Sequence, residues 1–471
     1  MTRCSDKDND EEEENYDGPE TSGSTREKKS SKGEKHVSFP PDEKMVSGFA
    51  EYTDRHVDSC LTLTEVSLAY RRSCDRHQVE PRVCILEQLK METCVRGRMK
   101  RLDLGGERLD LGSCEALEVV LKSLCFDFIN LRAARLEENG ASSLLDMILY
   151  YESTVYLDLS DNTHVGTSTW RALAHLIKQS VCLSRLDLCN VSMVDYRARS
   201  LSKALQTSHL AILHLDNTQL SGSPLFSLVG ALKSNRALLK LHLSNNMLNS
   251  YQDAMQLGDL LRYNRTLQTL ELSDNAIADA GLEELCEGLR LQMGGLKVLL
   301  LKNNQITAHG MLHLAKALPV LKTLEVLDMG NNSLGNRGLQ TLKEALMANR
   351  SLLHFGVACT HITCEGAVAL AEYLAESPQI QRLDLQGNEV RVGGLMALCL
   401  ALRINLSLAT LDLDSTPNHE QDEFLVETQK RLRSEIGELC LANGSRATVA
   451  METAESPPAE PPEGPVEDVV S

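Results

Sequence analysis

A phrase of leucines around one asparagine recurs along this chain at a nearly constant interval. Its clearest copy contains Leu238, Leu241, Leu243, Asn246 and Leu248. The middle apolar residue of each copy serves as its anchor, and the anchors are Leu102, Ile129, Leu157, Leu186, Leu213, Leu241, Leu270, Leu299, Leu327, Phe355, Leu383 and Leu411. These twelve anchors are always 27 to 29 residues apart. Self-similarity at such a period predicts stacked repeats rather than a single globular core.

Each repeat begins with a short predicted strand and continues into a predicted helix. The Leu-x-Leu pair of the strand points to one side, because strand side chains alternate with period two. The asparagine turns the chain and can bond free backbone groups. One such unit cannot cover the apolar faces of both its strand and its helix, so the units must stack on one another.

A 28-residue period with a full helix in each repeat resembles the ribonuclease-inhibitor type of leucine-rich repeat, over roughly residues 99–415. The resemblance implies an α/β leucine-rich repeat solenoid, a horseshoe of about twelve repeats with parallel strands on the concave side and helices on the convex side. Composition adds disordered tails on both sides of it. Six repeats lack the asparagine and contain Glu107, Ala134, Val191, Thr218, Thr360 or Thr416 instead. The first two repeats are the most degenerate, as terminal repeats often are.

The segments outside the repeats differ in composition. Residues 1–56 are predicted to be a disordered arm, because the first part is too polar and charged to bury a core. Residues 57–98 and 416–443 carry helical patterns, and we expect them to cover the two open ends of the 99–415 solenoid. Residues 444–471 are rich in Ala, Glu and Pro and are predicted to be a disordered tail.

Composition restricts the classes of partner. The formal net charge of −18 argues against nucleic acid, which needs clustered Lys and Arg, and against anionic membranes. The first thirty residues contain no apolar run, and no apolar run is long enough to span a bilayer. The fourteen cysteines lack the spacing of a disulfide framework, which indicates a reducing compartment. We therefore expect a cytoplasmic protein, with the nucleus as an alternative.

The residue after each anchor is expected to face the concave side. In order, these residues are Asp103, Asn130, Asp158, Asp187, His214, His242, Glu271, Leu300, Asp328, Gly356, Asp384 and Asp412. We call the seven acidic ones, Asp103, Asp158, Asp187, Glu271, Asp328, Asp384 and Asp412, the acidic ladder. Two interpretations stay open: the ladder keeps a solvated face soluble, or it steers a basic partner protein.

One short motif precedes the repeats. Lys35, His36, Val37, Ser38 and Phe39 place two large apolar residues two positions apart, behind basic residues. In an extended chain Val37 and Phe39 project to the same side. That arrangement suits a partner with two neighbouring apolar pockets beside a free sheet edge.

This pattern resembles the primary docking motif of protein phosphatase 1 regulators: a basic residue, an optional residue, Val or Ile, any residue, then Phe or Trp. Met45 and Val46, followed by Arg55, come in the order that some of these regulators share. Phrases such as CEALEVVLKSL and ITCEGAVALAEYLAESP also resemble the leucine-rich repeat regulators of this phosphatase, from about residue 35 to residue 440. The long acidic, Pro-rich C-terminal region of those regulators is shortened here.

The resemblance implies a regulatory subunit without enzymatic activity, which binds and inhibits the phosphatase catalytic subunit. Lys35, Val37 and Phe39 would dock, and Met45, Val46 and Arg55 would add secondary contacts. Ser38 lies inside the motif, and its phosphorylation would add about −2 charge where an apolar groove receives the chain. We expect that modification to weaken docking, which phosphorylated and plain peptides would measure.

No catalytic set emerges from the sequence, which lacks a Walker-type loop, a His-Glu-x-x-His motif and a nucleophile elbow. His214 and His242 fall on neighbouring strands, but structural zinc sites need four ligands and the sequence indicates no third. We therefore expect no metal and no cofactor. Two alternatives to a phosphatase regulator remain: a Ran-type GTPase activator, a class that also uses ribonuclease-inhibitor-like repeats, and a non-catalytic leucine-rich repeat scaffold.

Overall fold

The computed structural model describes residues 62–90, 97–292, 294–414 and 422–455, with side chains described as far as residue 446. The fourteen strands of these ranges are β1 (Met99–Asp103), β2 (Arg108–Leu109), β3 (Phe126–Asn130), β4 (Arg135–Leu136), β5 (Thr154–Asp158), β6 (Arg185–Asp187), β7 (Ile212–His214), β8 (Lys240–His242), β9 (Thr269–Glu271), β10 (Val298–Leu300), β11 (Val326–Asp328), β12 (His354–Gly356), β13 (Arg382–Asp384) and β14 (Thr410–Asp412). The helices are α1 (Leu63–His77), α2 (Val83–Lys90), α3 (Leu111–Ala116), α4 (Glu118–Ser123), α5 (Glu138–Tyr151), α6 (Thr167–Gln179), α7 (Asp195–Leu205), α8 (Ser223–Leu232), α9 (Tyr251–Tyr263), α10 (Ala278–Arg290), α11 (Met311–Ala317), α12 (Gly335–Ala348), α13 (Cys364–Glu376), α14 (Val392–Leu402) and α15 (Glu423–Glu455).

Twelve of these strands form one parallel sheet in chain order, while β2 and β4 pair separately. Each anchor leucine pairs with the anchor of the next repeat, from Leu102 opposite Ile129 to Leu383 opposite Leu411. Every anchor except the half-buried Leu411 is at most 2% exposed. The predicted leucine-rich repeat solenoid is confirmed, and its register follows the sequence period.

The consensus asparagines tie each repeat to the one before it. The Oδ1 atom of Asn246 accepts hydrogen bonds from the backbone N–H groups of Thr218 (2.8 Å) and Leu220 (3.1 Å), and its Nδ2 donates to the Leu215 carbonyl (2.8 Å). We call the buried set with this pattern the asparagine ladder: Asn246, Asn275, Asn304, Asn332 and Asn388. A buried backbone group without a partner is costly, so these side chains stabilise the stack.

Some repeats that lack the asparagine use threonine in its place. The Thr218 hydroxyl donates to the Leu215 carbonyl at 2.9 Å, and the Thr360 hydroxyl donates to the Val357 carbonyl at 2.7 Å. In both cases the hydroxyl satisfies a carbonyl of its own turn. The threonine repeats therefore keep the turn that the asparagine consensus builds.

Helices lie at both ends of the repeats. At the start, α1 and α2 contribute the buried side chains of Val66, Tyr70 and Ile85. At the other end, α15 continues to Glu455, beyond residue 443, where the sequence analysis placed the start of a disordered tail. The physical reason is composition: residues 442–454 include several Ala, a Met and a Glu, which favour helix, and no proline follows the start of α15 before Pro457.

None of the helices in the described ranges combines the length and the apolar character of a membrane-spanning helix.

Candidate functional site

The sheet surface opposite the helices is the candidate functional surface, and we call it the open face. The residues that follow the anchors align there strand by strand: Asp103 pairs with Asn130, Asp187 with His214, and His242 with Glu271. The residue before each anchor lies on the same face, because side chains alternate along a strand. The acidic ladder therefore occupies one row of this surface.

Four members of the acidic ladder form ion pairs with basic residues of the same face. These pairs are Asp103 with Arg101 (2.5 Å), Asp187 with Arg185 (2.9 Å), Asp328 with Lys302 (3.1 Å) and Asp412 with Arg382 (2.9 Å). Each pair offsets the carboxylate charge locally. The negative field available to steer a basic partner is therefore smaller than the row of carboxylates suggests.

Several ladder carboxylates also close the turn that follows their own strand. The Asp158 carboxylate accepts the backbone N–H of Ser160 at 2.9 Å, and the Asp328 carboxylate accepts that of Gly330 at 3.0 Å. Asp103, Glu271 and Asp384 accept the N–H two residues ahead in the same way. Acidic residues in this row thus have a structural role that the sequence analysis missed.

An arginine–aromatic stack crosses the first four strands of the sheet. The rings of Phe128 and Tyr156 stack at 4.1 Å between centroids, and their planes differ by 13°. The Arg101 guanidinium lies 5.3 Å from the Phe128 centroid, and the Arg185 guanidinium lies 4.2 Å from the Tyr156 centroid. The Tyr156 hydroxyl donates to Asp187 at 2.6 Å. Burial, together with this hydrogen bond, raises the pKa of Tyr156. Stacking and hydrogen bonds therefore fix Asp187 and Arg185 in place.

Two histidines continue the open face on β7 and β8. The rings of His214 and His242 stack at 3.9 Å with an interplanar angle of 13°. Burial is the main cause that lowers the pKa of each imidazole below its ordinary value. The neutral form is therefore favoured near pH 7, and a neutral imidazole nitrogen can bind a metal.

The structure brings two further side chains to His214. Its Nδ1 lies 3.8 Å from Asp216 Oδ2, and the Cys189 thiol donates to the same oxygen at 3.6 Å. Burial raises the pKa of the Cys189 thiol to about 11. The sequence pattern places only His214 and His242 on neighbouring strands and indicates no third ligand. The repeat register could have predicted this third ligand. Cys189 lies two residues after Asp187, Asp216 lies two residues after His214, and Asp187 and His214 pair across neighbouring strands.

The predicted docking residues lie outside the described residues. They are Lys35, His36, Val37, Ser38 and Phe39, with Met45, Val46 and Arg55. Their roles, and the modification of Ser38, stay predictions from the sequence.

A match to a repeat family agrees with the observed architecture. The family described as "Leucine Rich repeat" matches residues 263–286, 320–343 and 377–399. A chain of the crystal structure of the Rad7 and Elc1 complex in yeast is similar with a TM-score of 0.41 and 16% identity, covering 76% of this chain and 91% of that one.

Curated relatives are more similar in sequence. Over 294 residues the chain is 44% identical to protein phosphatase 1 regulatory subunit 37 of Bos taurus and 43% identical to that of Homo sapiens, covering 62% of this chain and 42% of each relative. It is 34% identical over 300 residues to the Caenorhabditis elegans homolog of the same subunit, covering 60% of this chain and 31% of the relative. The chain thus spans less than half the length of these curated relatives.

Proposed function

We propose that this chain is a regulatory subunit that binds the catalytic subunit of protein phosphatase 1 and inhibits it. The observation that carries the proposal is the 44% identity over 294 residues to a curated relative named protein phosphatase 1 regulatory subunit 37. An aligned segment of that length equals 62% of the chain, whereas a short motif alone would recur by chance.

In this proposal the primary contact is the motif from Lys35 to Phe39. Val37 and Phe39 enter two apolar pockets while the backbone adds a strand to a sheet edge of the phosphatase. Burying the two side chains contributes about 3–6 kcal/mol, at roughly 1.5–3 kcal/mol each. Ordering a free segment costs about 2–5 kcal/mol of that gain. The motif alone therefore binds weakly.

Tight binding then needs further contacts on the same chain. Met45, Val46 and Arg55 follow within twenty residues of the motif and act at high effective concentration once it is bound. The solenoid supplies bulk next to the docked catalytic subunit. We infer that inhibition comes from restricted access of protein substrates rather than from chemistry on the regulatory chain.

Capture of the catalytic subunit by the full chain tests this proposal. The variant Val37→Ala/Phe39→Ala is expected to capture at least about tenfold less phosphatase, because most of the apolar burial is lost. The matched control is Val469→Ala/Val470→Ala, which removes an apolar pair at the other end of the chain and should capture as the unchanged protein does. Equal capture by both variants would contradict the role of the motif. No capture by the unchanged chain would contradict the regulatory function itself.

A further inference from the structure

A side-chain cluster on the open face has no part in the proposed phosphatase contact. Cys189 follows strand β6, His214 ends strand β7, and Asp216 lies two residues further on. All three side chains are half-buried, and one ligand atom from each lies within 4.8 Å of the other two. Among the described residues, this is the one group of at least three Cys, His, Asp or Glu side chains that converges so closely.

We propose that Cys189, His214 and Asp216 form a zinc-binding site on the open face of the sheet. Bonds of about 2.0–2.3 Å in a tetrahedral site place ligand atoms roughly 3.3–3.8 Å apart. The distance from Cys189 Sγ to Asp216 Oδ2 is 3.6 Å, and that from His214 Nδ1 to the same oxygen is 3.8 Å. These two ligand-to-ligand distances therefore already match the spacing of a tetrahedral site, and one ligand atom of each residue lies within 4.8 Å of the other two.

The surroundings of the three ligands also fit a metal site. The other ring nitrogen of His214, Nε2, faces Asp187 Oδ1 at 4.0 Å. Asp187 is held by the bidentate guanidinium of Arg185 and by the Tyr156 hydroxyl. A carboxylate behind a histidine orients the ring and makes the metal-binding nitrogen more basic. A small closing movement would bring Nε2–H of the neutral ring within hydrogen-bond distance of the Asp187 carboxylate.

The remaining two ligands are fixed as well. Oδ1 of Asp216 accepts the backbone N–H of Ser244 at 2.7 Å, which leaves Oδ2 for the metal. The backbone N–H of Cys189 donates to the Ser160 hydroxyl at 3.1 Å, which fixes the start of the turn. Ligands held by neighbouring strands in this way lose little conformational freedom on binding.

The donor set selects zinc over the common alkaline-earth ions. Thiolate and imidazole ligands suit Zn²⁺, whereas Mg²⁺ and Ca²⁺ prefer oxygen ligands throughout. Binding replaces the proton of the Cys189 thiol, so one proton is released to solvent as the Zn–S bond forms. Affinity should therefore rise with pH.

The second histidine is excluded as a ligand by its orientation. His242 lies almost parallel to His214 at 3.9 Å, whereas a metal bound to Nδ1 lies in the plane of the His214 ring. The nitrogens of His242 thus stay in a separate plane. The fourth position remains open to water, as in three-ligand zinc sites.

Zinc titration of the chelator-treated full chain tests the site. The unchanged protein is expected to bind about one equivalent, and Cys189→Ser and Asp216→Asn are each expected to bind at least ~100-fold more weakly, because losing a ligand costs more than losing one of its supporting partners. Two matched controls should bind as the unchanged protein does. Cys359→Ser removes an exposed thiol elsewhere in the repeats, and His242→Gln removes the stacked imidazole.

Cobalt replacement keeps the test decisive if a variant fails to fold. The unchanged protein loaded with Co²⁺ is expected to show a thiolate-to-cobalt charge-transfer band, and Cys359→Ser should keep that band. Unchanged zinc affinity in both Cys189→Ser and Asp216→Asn, equal loss in Cys359→Ser, or absence of the cobalt band from the unchanged protein would each overturn the proposal.

Discussion

At the scale of single residues, the asparagine ladder joins the repeats. Asn304 accepts hydrogen bonds from the buried N–H groups of Asn275 (3.1 Å) and Ile277 (3.3 Å), and it donates to the Leu272 carbonyl at 2.8 Å. All three partners belong to the preceding repeat, so one side chain closes the junction between two units. Removing it leaves several buried backbone groups unpaired.

We therefore expect Asn304→Ala to lower the free energy of unfolding by about 3 kcal/mol or more, since each unpaired buried group costs roughly 1–3 kcal/mol. Urea denaturation followed by circular dichroism measures the loss. The control is Asn331→Gly in the next repeat, an exposed position with φ of 56°, which glycine adopts freely. The control should change stability by less than ~0.5 kcal/mol. Equal losses of unfolding free energy in the two variants would show that the asparagine ladder does not stabilise the junction between repeats.

At the scale of elements, helix α15 takes the place of the next repeat. Asn405 donates from Nδ2 to the Leu374 and Ser377 carbonyls at 2.9 Å, which ties its repeat to the one before. Asn443 donates to the Asn405 and Leu408 carbonyls at 3.1 Å and so continues that pattern from within α15, which runs on to Glu455. A long helix thus covers the apolar end that a further repeat would otherwise cover.

Substitutions on α15 should separate its buried side from its exposed side. Ile436 is 2% exposed, whereas Leu441 on the same helix is 73% exposed. Ile436→Ala is expected to cost about 2–5 kcal/mol, because it leaves a cavity against the last repeat, while Leu441→Ala should be nearly neutral. Hydrogen exchange measured by mass spectrometry should show faster exchange in α14 and β14 of the Ile436 variant, since repeats contact only their neighbours. Uniform faster exchange along all repeats would contradict a locally acting cap.

The sequence predicts the strands and helices well because the same pattern of buried apolar residues recurs in twelve repeats. The anchors from Leu102 to Leu411 fix both the strands and their pairing, since a one-residue slip would turn the leucines away from the core. The turn contacts of the acidic ladder, such as the hydrogen bond from the Ser160 N–H to the Asp158 carboxylate, depend on side-chain rotamers, which the pattern of residue types does not encode. The repeat period could have predicted that Cys189 and Asp216 converge, but only if the positions that follow each strand are aligned as well as the strands themselves.

At the scale of the whole molecule, we expect anchoring and inhibition to depend on different parts of the chain. The arm would supply recognition through Val37 and Phe39, and the repeats would supply a rigid body that limits access to the catalytic subunit. A docking peptide should then bind the phosphatase but leave most of its activity toward a protein substrate. The complete chain should bind more tightly, because its other contacts act at high effective concentration.

The most direct measurement is phosphatase activity toward a protein substrate, titrated with the full chain, with Val37→Ala/Phe39→Ala and with a peptide of residues 30–58. We expect inhibition by the full chain, at least about tenfold weaker inhibition by the variant, and binding of the peptide with little inhibition. Equal inhibition by the full chain and by the variant, or complete inhibition by the peptide alone, would contradict this expectation.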